Sequence, residues 1–225
     1  QEPAITQFWN TYASTNPATT GLFYKHAANA HYRNQWDGVN GAPNSLNVNY
    51  GMRLEKIKSG IGVVYRHDAI GFNRQHKFLA NYAYHLKLKE TVLSFGVAGG
   101  VELLSIKKSA FITPTPVNDP SIPTPGGRDA AFTSNVGIAF HSKVVNAGIS
   151  CTQLTAPKFL LNTSTYSATR HYWMFLEYHH EFTDNLSIQP RIQIVTDNVK
   201  STYMASLMAV LYQKLWFGVN YSVDN

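Results

Sequence analysis

The sequence predicts an all-β fold, a transmembrane antiparallel up-and-down β-barrel, and three observations support this prediction. Apolar and polar residues alternate along most of the chain, which is the pattern of strands with two unlike faces. No segment has the roughly 20 consecutive apolar residues that a membrane-spanning helix needs. Short and long connections separate the alternating segments in turn, as they do in bacterial outer-membrane barrels.

The composition agrees with a protein whose exterior faces lipid. Of the 225 residues, 44% are apolar and 13% are aromatic, while only 14% are charged. The 19 basic and 13 acidic residues give a net charge of +6, but no run of basic residues is longer than the pair Lys107-Lys108. Because a nucleic-acid-binding surface concentrates its basic residues in a patch, we expect no nucleic-acid partner. The single cysteine, Cys151, excludes an intramolecular disulfide.

Eleven segments alternate in this way and predict eleven strands. They cover residues 20–34, 45–57, 60–67, 75–88, 91–105, 131–141, 144–152, 169–181, 186–196, 201–213 and 215–222. The polar faces carry small or charged residues, which suit the lumen of a barrel better than the core of a soluble sandwich. The charged residues that we expect in the lumen are Lys25, Arg53, Glu102, Glu177 and Arg191.

The predicted connections differ in length at the two ends of the strands. Tight turns are expected near residues 58–59, 89–90, 142–143, 183–185 and 213–214. Long loops are expected over residues 35–44, 68–74, 106–130 and 153–168, and only the connection near Asn198 is short at that end. This asymmetry is typical of outer-membrane barrels, in which the turns are periplasmic and the loops are external. Such barrels usually have an even number of strands, so the odd count of eleven suggests that C-terminal strands are missing from this sequence or that the count differs by one.

Short motifs follow one another in the N-terminal part of the chain. They are Gln1-Glu2-Pro3, Asn16-Pro17-Ala18 with Gly21, Arg33-Asn34-Gln35-Trp36 and Gly41-Ala42-Pro43. In this order the motifs resemble those of the PorP/SprF family of outer-membrane proteins of the Bacteroidota. The chain departs from the family pattern at Glu2, where Asp is commoner, and at Ser222, which follows Tyr221 in place of a frequent Arg.

The resemblance implies a non-enzymatic outer-membrane component of type IX secretion and gliding, without catalytic residues, cofactor or metal. Such a multi-pass barrel helps to export or anchor a large surface protein, such as an adhesin, and links it to periplasmic motor components. Outer-membrane lipid is the remaining expected partner, and the complete barrel is expected to have about 14 strands. Residues 1–19 are expected to pack on or in a barrel formed by residues 20–225. The residues that would bind a partner or support the structure are Asn16, Pro17, Ala18, Gly21, Arg33, Gln35, Trp36, Gly41, Ala42 and Pro43.

A diffusion porin or solute channel is the main alternative function. It agrees with the same alternation and with a lumen that contains basic residues such as Lys77, Lys87 and Arg191.

A barrel hydrolase is a further alternative, because outer-membrane hydrolases place a Ser/His set at the barrel rim. It would combine Ser94 or Ser187 with His85 or His179, a set that only the residue types support. The adjacent pair His179-His180 does not indicate a metal site, because neighbouring residues of a strand point to opposite faces. Arg33 is a structural candidate, since it could pair with a lumen carboxylate such as Glu55 or Glu102.

Overall fold

The structure, a computed structural model, describes residues 8–107, 127–161, 164–183, 185–212 and 214–224. Three short helical turns come first, at Phe8–Thr11, Tyr12–Thr15 and Pro17–Thr19. The strands follow as β1 (His26–Asn34), β2 (Asn44–Leu54), β3 (Ser59–Ile70), β4 (Asn73–Leu88), β5 (Thr91–Ile106), β6 (Arg128–His141), β7 (Val145–Thr152), β8 (Lys158–Leu161), β9 (Ser164–Ser167), β10 (His171–Tyr178), β11 (His180–Thr183), β12 (Leu186–Thr196), β13 (Ser201–Leu211) and β14 (Leu215–Asp224). No helix in these ranges is long and apolar enough to cross a membrane.

One antiparallel sheet contains all of these strands except β8 and β9, which form a hairpin of their own. Each strand of the sheet pairs with the next one along the chain, with β7 followed by β10. Strands β10 and β11 both pair with β12, so they act as one strand that is interrupted at His179. In the described part of the chain the sheet therefore has eleven positions, and the predicted eleven strands and up-and-down order are confirmed. Within the described residues β1 pairs only with β2 and β14 only with β13, so the sheet is not closed.

The connection between β3 and β4 is shorter than predicted. A long loop was expected over residues 68–74, but the two strands pair as far as Ile70 and Asn73, and only Gly71 and Phe72 join them. Gly71 has a φ of +60°, which glycine adopts without steric cost. The polar residues of this stretch gave it the composition of a loop, although they continue the alternation of the strands. A second difference is the hairpin of β8 and β9, which lies within the predicted loop 153–168.

The sheet exposes its apolar face and buries its polar face, which is the reverse of a soluble protein. In β4, the apolar side chains of Phe78, Tyr82 and Leu86 are exposed, whereas Asn81 and His85 on the opposite face are buried. We call the face with the buried polar side chains the inner face and the other the outer face. Exposed large apolar side chains cover the outer face of the other strands as well. Because a large exposed apolar surface is rare on soluble monomers, this arrangement indicates a lipid-facing exterior.

Besides a small apolar cluster of Ala18, Leu22 and Ala139, the inner face packs around two larger apolar clusters. One joins the N-terminal helical turns to the sheet through Phe8, Tyr12, Phe175 and Met204. The other lies beneath the hairpin of β8 and β9 and consists of Leu104, Ile106, Phe159, Leu161 and Ala168. The N-terminal residues 8–23, which we call the inner segment, therefore lie against the same face as the buried polar side chains.

Candidate functional site

Asn16 attaches the inner segment to two neighbouring strands. Its Oδ1 accepts a hydrogen bond of 3.0 Å from the backbone N–H of Ala18, which caps the helical turn Pro17–Thr19. Its Nδ2 donates to the carbonyl oxygens of Ile138 in β6 and Ile149 in β7, at 3.1 Å and 3.3 Å. The side chain is only 1% exposed. Asn16 thus fixes the local turn and the position of that turn on the sheet at the same time.

Glycines of the sheet provide the space in which the inner segment lies. A Cβ atom at Gly137 would lie closer than 3.0 Å to Asn16 Oδ1. A Cβ atom at Gly96 would approach the backbone of Ala18 as closely, and one at Gly60 would meet the carbonyl oxygen of Thr20. Real Cβ atoms essentially never show such contacts. Gly60 and Gly96 therefore accept the backbone of the inner segment, and Gly137 accepts the Asn16 side chain, only because these strand positions have no side chain.

Polar side chains of the sheet satisfy the backbone carbonyls of the inner segment. Ser94 Oγ donates to Ala18 O at 2.6 Å, and Ser150 Oγ donates to Thr15 O at 3.0 Å. Asn81 Nδ2 donates to Ala13 O at 2.7 Å. Because a buried carbonyl without a partner is costly, these side chains explain how a non-strand segment can lie on the inner face.

Gly21 and Arg53 form the last attachment before β1 begins. Arg53 Nε donates to Gly21 O at 2.7 Å, and its guanidinium also bonds Leu22 O. Gly21 has a φ of +69°, and a Cβ atom there would lie 2.9 Å from Met52 O. This position therefore requires glycine for its conformation and for the close approach of β2. The strand therefore starts at His26, whereas the sequence predicted a start at residue 20.

An aromatic and charged group connects the inner segment to β10 and β12. The rings of Tyr12 and Phe175 stack with their centroids 4.0 Å apart. Arg191 lies 4.8 Å from the ring centroid of Trp9 and pairs with Glu177 at 2.8 Å. Burial raises the pKa of the Tyr12 phenol well above its ordinary value, and the nearby Glu177 carboxylate raises it further. Tyr12 Oη is buried and has no hydrogen-bond partner within the described residues.

A second buried ion pair lies nearer to the long loops. Lys77 Nζ and Glu102 Oε2 are 3.3 Å apart, and both side chains are almost fully buried. Gln75 and Gln153 donate further hydrogen bonds to the Glu102 carboxylate. Gln153 follows β7 directly, so this carboxylate holds the start of the connection that leads to the β8–β9 hairpin. Neither glutamine was singled out from the sequence, because Gln75 is only the first residue of the predicted strand 75–88 and Gln153 lies in the predicted loop 153–168.

The second group of predicted motif residues lies in the loop between β1 and β2. Gln35 N–H donates to Pro43 O at 3.0 Å, and Gly71 N–H donates to Gly41 O at 2.9 Å. Trp36 is 69% exposed and has a φ of +55°. Ala42 belongs to the same loop, and Arg33 lies at the adjoining end of β1. The structure thus divides the motif residues into an Asn16–Gly21 group on the inner face and a loop group.

The predicted lumen charges do not form one line. Arg53, Glu102, Glu177 and Arg191 lie on the inner face in the contacts described above. Lys25 is exposed, because it precedes β1 at the tight-turn end. Its Nζ lies 4.0 Å from Oε1 of Glu55, which is exposed as well.

Arg33 is paired with Ser45 at the start of β2. Glu55 follows the last residue of β2, so the two lie at opposite ends of the sheet. Glu102 pairs with Lys77 instead, so the described residues do not show the expected pairing of Arg33 with either carboxylate.

The structure brings one proposed Ser/His pair together, but in a closed environment. His85 Nδ1 and Ser94 Oγ are 3.0 Å apart. The Ser94 hydroxyl donates to Ala18 O, and both residues are buried beneath the inner segment. A nucleophile needs access to a substrate and a base that receives its proton, whereas this hydroxyl holds a backbone carbonyl. Among the described residues, no group of three or more His, Cys, Asp or Glu side chains is placed to hold a metal ion.

A cavity remains beside the inner segment. It has a volume of about 550 Å³ and lies between this segment, the strands β1 and β2, and the Glu177–Arg191 pair. Asn10 and Tyr24 line it, and both are exposed. The inner segment therefore leaves space on the inner face next to β1.

One known protein family matches the whole chain. A family model described as type IX secretion system membrane protein PorP/SprF matches residues 1–225. A comparison with curated proteins finds no match. The match to the family model covers every residue of the sequence, including both groups of motif residues, and the chain therefore belongs to the PorP/SprF family of type IX secretion system membrane proteins.

Proposed function

We propose that the protein is a non-enzymatic β-barrel component of type IX secretion and gliding in the outer membrane. In this role it helps to export or anchor a large surface protein and links that protein to periplasmic motor components. Family membership supports a place within the secretion system. The apolar outer face and polar inner face of the antiparallel sheet support a barrel wall that lipid surrounds.

The observation that carries the anchoring role is the inner segment itself. A diffusion channel needs a lumen that water and solutes can cross, whereas here residues 8–23 occupy the inner face. Hydrogen bonds from Ser94, Ser150 and Asn81 and the glycine positions at 60, 96 and 137 fix this segment. A filled barrel is better suited to holding a partner than to passing small solutes.

Trp36 is the strongest partner-binding candidate among the predicted motif residues. It is a large aromatic residue, 69% exposed, at the end of the sheet where the long loops lie. Exposed aromatic residues of this kind dominate the binding energy of many protein interfaces. In the proposed orientation this loop faces the cell exterior, so its partner is the surface protein, while the tight turns face the periplasmic components.

Cross-linking and affinity capture from outer membranes tests the proposed function. Wild-type protein is expected to recover secretion-system components and a large surface protein. Trp36→Ala is expected to reduce recovery of the surface protein. Val199→Ala should leave it unchanged, because Val199 is 93% exposed in a different connection at the same end. Recovery of neither partner class by the wild-type protein would contradict the assignment.

A diffusion porin or solute channel remains the second candidate, and the cavity of about 550 Å³ beside β1 favours it. Planar-bilayer recording separates the two functions. The anchoring role predicts no stable open channels for the wild-type protein and new channels when residues 8–20 are deleted. Stable channels in the wild-type protein, unchanged by this deletion, would support the porin instead.

A further inference from the structure

The outer face of β3 to β6 changes in character toward the long loops. The strand register places three rows of side chains one above another across these strands. The first, which we call the aromatic row, contains Tyr65, Phe78, Val101 and Phe132. The next contains His67, His76, Leu103 and Ala130, and the last, the basic row, contains Ala69, Arg74, Ser105 and Arg128.

The basic row places two guanidinium groups on either side of one hydroxyl. Arg74 and Arg128 are both paired with Ser105, from opposite sides, and both are exposed. Neighbouring strands are about 4.8 Å apart, so the two arginine Cα atoms are roughly 10 Å apart. Lys107 follows Ser105 by two residues, also exposed, and adds a third positive charge at this edge. These groups can converge on one anion above Ser105.

The carboxylate that follows the basic row in β6 is already occupied. Asp129 follows Arg128, and its two oxygens accept hydrogen bonds from the backbone N–H groups of Ala130 and Leu160, at 2.8 Å and 2.6 Å. Strand alternation places Asp129 on the face opposite to Arg128. In the part of the chain that the structure describes, the basic row therefore has no carboxylate on its own face.

The row that contains His67 and His76 lies between the aromatic row and the basic row and is intermediate in polarity. The rings of His67 and His76 stack with centroids 4.5 Å apart, and His76 Nδ1 is 3.0 Å from the Tyr65 hydroxyl. Tyr65 in turn packs against Phe78. Polarity therefore rises over three rows, as it does from the hydrocarbon of a membrane through its interface to the headgroups.

We propose that the basic row binds the phosphate group of a membrane lipid whose acyl chains lie along the aromatic row. Guanidinium groups bind phosphate through paired, charge-assisted hydrogen bonds. The exposed apolar side chains directly below supply contacts that a soluble anion would lack. This site rests on the proposed position of the outer face in lipid.

Titration with a fluorescent phosphatidic acid in neutral detergent micelles tests the site. The matched probe is a diacylglycerol with the same acyl chains and no phosphate. Phosphatidic acid is expected to bind the wild-type protein and the diacylglycerol is not. The variant Arg74→Gln/Arg128→Gln is expected to bind phosphatidic acid about thirtyfold more weakly, because each basic residue near a lipid surface contributes about a factor of five.

The control variant Lys56→Gln/Lys58→Gln removes the same charge from an exposed turn at the other end of the sheet. It is expected to bind as the wild-type protein does, and circular dichroism checks that both variants keep their strand content. Equal binding of the two lipids, an equal loss in the control variant, or displacement of the lipid by inorganic phosphate alone would overturn the proposal. Failure of the proposed membrane location is distinguishable, because the protein would then stay soluble and monodisperse without detergent.

Discussion

The Oδ1 atom of Asn16 occupies the space that a Cβ atom at Gly137 would need. The two residues are far apart in sequence, and the contact joins the inner segment to the middle of β6. Asn16 also bonds the carbonyl oxygens of Ile138 and Ile149, so this contact fixes the middle of the inner segment on β6 and β7.

The Gly137→Ala variant is therefore expected to displace Asn16 from β6. The added methyl group cannot fit beside Oδ1, and overpacking of this kind costs about 1–3 kcal/mol. Urea unfolding in detergent micelles measures the change in the free energy of unfolding. Gly99→Ala is the control, because a Cβ atom at Gly99 would meet only the Phe132 ring at an ordinary distance of 3.5 Å. Equal stability of the two variants would show that Asn16 does not lie at this position.

The Asn16→Ala variant removes three hydrogen bonds at once. We expect the free energy of unfolding to fall by about 2–3 kcal/mol, since each such bond contributes about 1 kcal/mol. Asn34→Ala is the matched control, because Asn34 is exposed and its side chain bonds only the exposed Asp37. Asn16→Asp should lose at least as much, since its buried carboxylate keeps the cap to Ala18 but faces the two strand carbonyls without a proton to donate. A loss no larger than that of Asn34→Ala would contradict the role of this side chain.

The buried pair of Lys77 and Glu102 should show strong energetic coupling. Either single substitution, Lys77→Met or Glu102→Gln, removes one charge of the buried ion pair and is expected to cost about 3–5 kcal/mol. The double variant is expected to cost less than the sum of the two. A double-mutant cycle measures this difference, and the exposed pair Lys143–Glu90 is the control, for which we expect almost no coupling. Additive costs for Lys77 and Glu102 would mean that the pair is not formed.

Tyr12 is expected to need its ring but not its hydroxyl. Its Oη is buried without a hydrogen-bond partner in the described residues, so Tyr12→Phe should be neutral or stabilising. Tyr12→Ala should cost about 3–5 kcal/mol, because it removes the ring that stacks on Phe175. Thermal unfolding of both variants provides the comparison. A destabilised Tyr12→Phe variant would indicate that the hydroxyl has a bound partner, such as an ordered water.

The sequence was sufficient to predict the strands because each has two unlike environments. Ile192 and Gln193, for example, lie on opposite faces in the way that the period of two requires, and the eleven predicted positions of the sheet are present. The same pattern failed at residues 68–74, where polar residues continue the strands around Gly71. Composition alone cannot separate a polar strand end from a loop.

The contacts of the inner segment could not be predicted from the sequence. The Asn16-Pro17-Ala18 motif was recognised, but its partners Ile138 and Ile149 are backbone groups that carry no signal in the side-chain pattern. No close approach was predicted at Gly60, Gly96 or Gly137, because a glycine in a strand does not identify what approaches it. These contacts depend on strands that are distant in sequence and adjacent only in the folded sheet.

Thiol labelling of the inner segment tests the central claim most directly, namely that residues 8–23 lie on the polar inner face. Single cysteines are introduced at Ser14, which is 2% exposed, and at Asn10, which is exposed to the cavity, in a Cys151→Ala background. A membrane-impermeant maleimide is expected to label Asn10→Cys rapidly and to leave Ser14→Cys unlabelled until the protein is unfolded. Rapid and equal labelling of both cysteines in the folded protein would contradict the account.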